Sequence, residues 1–214
     1  MNENFTENPT TLNTNRFVKF FKENKIIIYS IVFIFSLTIA SIAFYLNATE
    51  KKKVFISDEY LKAKIYIKEK KNDDAKKILK EIILSKNNTY STLSLFLIID
   101  EKLIVDNEEI LVLFDKILGN NKLKKEIKNL IIFKKALFIS DFTNENELLT
   151  SINPLIKGKS IWKPHALILL GDFYVNKKEY IKARDFYTEI LNMKNLRNET
   201  YEHAKSQLLF ISKK

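Results

Sequence analysis

The chain is expected to be all-α: a single N-terminal transmembrane helix followed by an α-solenoid of about four helical hairpins plus a C-terminal helix. Three observations carry that expectation. Ile26 to Leu46 is a run of 21 residues without a charge, and apolar side chains recur with helical period from there to the C-terminus. Gly and Pro together number only six in 214 residues, where average usage gives roughly 25. So few turn-formers disfavour sandwiches and barrels, which need a tight turn every few residues.

The same scarcity excludes whole classes of chemistry. Three glycines, at 119, 158 and 171, cannot assemble a G-x-G-x-x-G or a G-x-x-x-x-G-K-[ST] phosphate cradle. Cysteine is absent, which removes disulfides, thiol nucleophiles and Cys-based zinc sites. The net charge of +10 rests on 33 Lys and only three Arg, beside 29 Ile and 21 Asn, residues with A/T-rich codons. Base composition therefore accounts for part of the charge. Arg, the residue suited to bidentate phosphate and base recognition, is scarce, so nucleic acid is not the expected partner.

Four segments follow in order. Residues 1–25 form a short polar tail rich in Asn and Thr, 26–46 the transmembrane helix, 47–53 a basic linker, and 54–214 the repeat domain. As a helix the uncharged run reaches about 31 Å, which matches the hydrocarbon core of a bilayer. Tyr29 and Tyr45 sit near its ends, where amphipathic aromatics favour the interface. Its length exceeds the apolar core of a secretory leader and no A-x-A site follows Leu46, so it reads as a signal anchor. Arg16, Lys19, Lys22 and Lys25 before it face Lys51, Lys52 and Lys53 after it. The positive-inside rule then orients the N-terminus inward by four against three.

Nine helices are expected beyond the span: 54–70, 72–86, 89–102, 106–118, 122–140, 144–156, 163–176, 179–192 and 198–212. Stripes such as Ala75, Ile78, Leu79, Ile82, Ile83 and Tyr180, Ala183, Tyr187, Ile190 define them, and Asn-rich clusters such as Lys86-Asn87-Asn88 and Gly119-Asn120-Asn121 divide them. Eight of the nine pair into four hairpins spaced near 35 residues, the period of a helical solenoid.

The sharpest signal lies at 167–191, LILLGDFYVNKKEYIKARDFYTEIL. Leu170 and Gly171 precede Tyr174, and Ala183 precedes Tyr187 by four, which follows the tetratricopeptide pattern L-G-x2-Y…A-x3-F; Gly171 and Ala183 are expected to let the two helices approach closely. A second copy sets Ala63, Tyr66, Ala75, Leu79 and Ile82 at the same offsets, 108 residues earlier. The two middle hairpins follow the repeat by length and apolar pattern only. With the polar tail, the span, the basic linker and the closing W-x-P-x-A segment (Trp162, Pro164, Ala166), residues 15–212 resemble the tetratricopeptide-like bacterial inner-membrane proteins that are ancillary subunits of the Sec translocon. That resemblance implies a cytoplasmic N-terminus, a periplasmic repeat domain, and translocon and periplasmic chaperones or secreted clients as partners.

Stacked hairpins leave an extended surface lined by the first helix of each pair. On the inward positions of the pattern it is lined by His165, Ile168, Asp172, Val175 and Asn176, joined by Tyr60, Lys64 and Ile67 from the first repeat. The expected function is a membrane-anchored scaffold for protein partners. The competing readings are a cytoplasm-facing adaptor of the opposite topology and a membrane-tethered enzyme. No catalytic residue, cofactor site or metal site is expected: His165 and His203, the only histidines, lie 38 apart without any H-E-x-x-H spacing, and the acidic pairs Asp73-Asp74, Asp100-Glu101 and Glu108-Glu109 fall at helix ends, where carboxylates face water or a helix dipole. Trp162 beside Pro164 is expected to wedge between repeats.

Overall fold

A computed structural model describes residues 19, 20 and 22–214; most of the polar tail expected over 1–25, including Arg16, lies outside the described residues. Among these the regular structure is nine α-helices and no strand: α1 Lys25–Lys68, α2 Asn72–Leu84, α3 Tyr90–Asp100, α4 Asn107–Leu118, α5 Lys125–Ile139, α6 Glu145–Lys157, α7 Lys163–Asn176, α8 Tyr180–Leu191 and α9 Asn198–Ile211. From α2 onward every boundary falls within three residues of the expected one. The difference is at the start. Residues 47–53, expected as a linker, are helical, and the helix expected over 54–70 is the last part of α1. Lys, Glu, Ala and Leu are good helix formers and neither Gly nor Pro interrupts 25–68, so nothing local breaks the helix at Asn47.

The chain divides into two compact units, Met1–Phe55 and Ile56–Lys214. In the first, the apolar stretch of α1 is long enough to cross a membrane and none of it is buried, which sets it apart from the core helix of a soluble protein.

The second unit is a run of hairpins in which, from α2 onward, each helix packs on its sequence neighbours, and α2 on α4, α5 on α7 and α7 on α9. Local signals start several helices. Asp106 accepts the Glu108 N–H at 3.0 Å and Asn144 the Glu147 N–H at 3.0 Å, N-caps for α4 and α6. Asn87 accepts the N–H groups of Thr89 and Tyr90 ahead of α3.

Three of the four hairpins close with one device. Lys70, Lys102 and Lys178 take φ of 60°, 50° and 62°, and the next residue donates its N–H five back: Lys71 to Tyr66 (2.9 Å), Leu103 to Ile98 (3.0 Å), Glu179 to Tyr174 (2.9 Å). This turn registers the second hairpin, which its side chains conceal. Leu95 stands seven residues before Lys102, the place that Ala63 and Gly171 hold before Lys70 and Lys178. In the third hairpin the buried Ala136, 35 residues before Gly171, takes the small-residue place.

Side-chain bonds between hairpins keep the same period. Asn88 donates to the Lys122 carbonyl (3.0 Å), and Asn120 donates to the Lys86 carbonyl (3.1 Å) and to Asn88 Oδ1 (2.9 Å). The Tyr90 hydroxyl donates to Ser57 Oγ (2.7 Å), Asn129 to Ser160 Oγ (3.0 Å), and Ser160 to Glu126 (3.3 Å). Each links residues 31 to 34 apart, so polar contacts step from one hairpin to the next as a solenoid requires.

Two buried clusters form the core. One gathers Ile56, Ala63, Ala75, Leu79, Leu95, Phe114 and Ile131 with their neighbours, the other Ala136, Leu148, Leu167, Leu170, Tyr187 and Ala204 with theirs, and Phe138 packs against both.

Candidate functional site

The first helices of the hairpins carry the residues expected to face a partner. In α1, Tyr60 lies against Tyr90 of α3 with ring centroids 5.5 Å apart. Burial, then the nearby Tyr90 and Asp100, holds its hydroxyl above the ordinary tyrosine value. Ile67 is half-buried against the N-terminal cluster, whereas Lys64 is exposed. In α7, His165 tilts against both Phe133 (5.9 Å) and Trp162 (5.6 Å), Ile168 and Val175 pack half-buried on the C-terminal cluster, and Asn176 is exposed. Trp162 itself stacks on Phe133 of the preceding hairpin at 5.9 Å and 18°, the wedge geometry expected of it.

Asp172 also bonds within the fold. Its Oδ1 accepts the Tyr187 hydroxyl at 2.5 Å and stands 3.3 Å from His203 Nε2, so this carboxylate ties α7 to α8 and α9. The Asp172 side chain nevertheless stays 40% exposed. Tyr187 in turn explains Gly171. A Cβ at Gly171 would sit 2.5 Å from Tyr187 Cε1, and its nearest atoms all belong to that ring rather than to Ala183. The first repeat pairs a smaller Leu79 with Ala63 at the matching positions, and both are fully buried.

Sequence reasoning missed the middle of the surface. Between α3 and α5 lies a hollow of about 230 Å³ lined by Phe96, Ile99, Asp100, Phe114, Lys134, Leu137 and Phe138. Phe96 and Ile99 follow Leu95 by one and four, as Asp172 and Val175 follow Gly171. The recurrent lysine seven residues after the small position was the signal that could have found them.

A second polar link joins α6, α7 and α8. Glu145 accepts from the Tyr174 hydroxyl (2.7 Å) and from Lys182 Nζ (2.9 Å). Hydrogen bonds from Lys182, then from Tyr174, hold the Glu145 carboxyl below its ordinary value. Burial, then the Glu145 bond, pushes the Tyr174 hydroxyl up to about 12. Among the described residues no three His, Asp or Glu side chains converge on a point that could hold a metal ion.

Residues 60–89 and 164–195, the first and fourth hairpins, match the family model described as Tetratricopeptide repeat, together less than a third of the chain. These hairpins are similar to tetratricopeptide repeats, and repeats of that kind suggest a scaffold for protein–protein interaction. No curated protein and no solved structure matches the chain. The likeness to translocon-associated inner-membrane proteins therefore has no support beyond the repeats themselves.

Proposed function

We propose that this protein is a membrane-anchored scaffold: Ile26 to Leu46 span the bilayer, and residues 54–214 hold out a row of first helices to a protein partner. The observation that carries the reading is the apolar hollow between α3 and α5, set among aromatic side chains on a repeat framework whose two ends match tetratricopeptide repeats. Its neighbours Tyr60, Lys64 and Ile67 on one side, and His165, Ile168, Asp172, Val175 and Asn176 on the other, extend the surface. The sequence resemblance further suggests a bacterial inner membrane, a periplasmic repeat unit, and the Sec translocon with periplasmic chaperones or secreted clients as partners.

A topology reporter fused after Lys214 tests the orientation. Signal from outside the cytoplasm is the expected result; signal from within it converts the reading to a cytoplasm-facing adaptor. Photo-crosslinkers at Ile168 or Val175 are expected to capture translocon-associated, chaperone or secreted proteins, and one at Lys182 is not. Equal capture from all three positions would remove the surface from consideration.

A further inference from the structure

We propose that the hollow between α3 and α5 is an anchor pocket for one bulky apolar side chain of an extended partner segment, and that Asp100 selects a Lys or Arg beside that anchor. The inference rests on the scaffold reading and deepens it by naming what the surface takes.

Size limits the occupant first. About 230 Å³ falls below the roughly 300 to 1,000 Å³ of pockets that enclose drug-sized ligands, and it suits a single side chain. The lining then sets its polarity. Phe96, Ile99, Phe114, Leu137 and Phe138 form an apolar floor. Phe138 sits 6.0 Å from the Phe114 ring and packs on both core clusters, so the floor is preformed and seating a side chain there needs little reordering.

Charge decides what stands beside the anchor. Of the two polar side chains on the lining, Lys134 lies over the Phe96 ring, with Nζ 5.7 Å from its centroid. Asp100 is exposed and makes no hydrogen bond or ion pair among the described residues, and the same holds for the adjacent Glu101. On a chain of net charge +10, Asp100 thus sets an unpaired carboxylate on the lining of an apolar hollow. A Lys or Arg next to the anchor residue brings its cation to Asp100 and lays its aliphatic stem along the apolar rim.

The test uses the full chain in nanodiscs as bait for a displayed library of random 12-residue peptides, with empty nanodiscs subtracted. The expected enrichment is a bulky apolar residue with Lys or Arg within two positions. Asp100→Lys is expected to turn the adjacent preference to Asp or Glu, with a change of roughly threefold or more for individual peptides, the scale of an exposed ion pair. Leu137→Glu is expected to abolish enrichment. Both positions are solvent-accessible, and the Trp162 emission of each variant checks that it folds; if Leu137→Glu does not, Asp100→Lys alone decides. Enriched peptides that lack the apolar–basic pair, or that bind wild type and Asp100→Lys alike, would overturn the anchor pocket while leaving the scaffold standing. No enrichment over empty nanodiscs would overturn both.

Discussion

At the scale of single residues, Gly171 and Tyr187 act as one unit. In a helix interior Gly costs roughly 0.5 to 1 kcal/mol relative to Ala, so Gly171→Ala on an open helix would stabilise. Here the added methyl meets the Tyr187 ring at 2.5 Å, and the ring is fully buried. The expected outcome is a net loss of about 1 to 3 kcal/mol, the range for overpacking, read from unfolding followed by Trp162 fluorescence. Tyr187→Leu, which copies the Leu79 and Ala63 arrangement of the first repeat, is expected to reduce that loss; a loss unchanged by Tyr187→Leu would mean that the ring is not what excludes the methyl. The same tyrosine gives a pH dependence. Burial first, and then a carboxylate hydrogen bond, raises Tyr174 to about 12 and likewise raises Tyr187, so both keep their protons in the folded chain when the unfolded chain loses them near pH 10. Their contribution is complete below pH 10 and declines as pH rises above it, through about 12 for Tyr174, at no more than about 1.4 kcal/mol per unit for each group. Denaturation midpoints at pH 9, 10 and 11 are expected to fall more steeply for wild type than for Tyr174→Phe or Tyr187→Phe.

At the scale of elements, the turns carry the register. Lys178 ends α7 in the left-handed region, where a Cβ costs roughly 1 to 2 kcal/mol, and Gly would take that conformation freely. Lys178→Gly is therefore expected to stabilise by about 0.5 to 1 kcal/mol once the extra freedom of the unfolded glycine is subtracted, measured as a rise in denaturation midpoint. A loss would mean that the Lys178 side chain makes a contact that outweighs its backbone strain. Between hairpins, Asn88 and Asn120 clasp the α2–α3 and α4–α5 loops through three hydrogen bonds. A double-mutant cycle to Ala is expected to show coupling of about 0.5 to 1.5 kcal/mol. Additive effects would mean that the two loops hold their positions independently.

At the scale of the whole molecule, each unit makes its own test. The apolar stretch of α1 buries nothing, so the protein is expected to stay with membranes after carbonate extraction and to keep its residues before Ile26. A soluble product starting near residues 47–53 would identify a cleaved leader instead. In the repeat unit, helices pack on near neighbours in sequence and two clusters meet at Phe138, an arrangement in which stability is close to a sum over adjacent hairpins.

The amino-acid sequence by itself determined the helices from α2 onward, their order and their pairing, because apolar period, Asn-rich breaks and the scarcity of Gly and Pro are local properties that no distant contact has to supply. It also revealed the two outer repeats, whose small residues stand at readable spacing. What only the tertiary structure decided was how those residues are used. Gly171 is small to admit a ring from the next helix, Asp172 bonds to Tyr187 and approaches His203, and Leu95 occupies a small-residue place that pattern matching rejects. The hollow between α3 and α5 was invisible for the same reason: it is made by side chains nearly forty residues apart, brought together only once the register of the second hairpin is set by the backbone of its turn at Lys102.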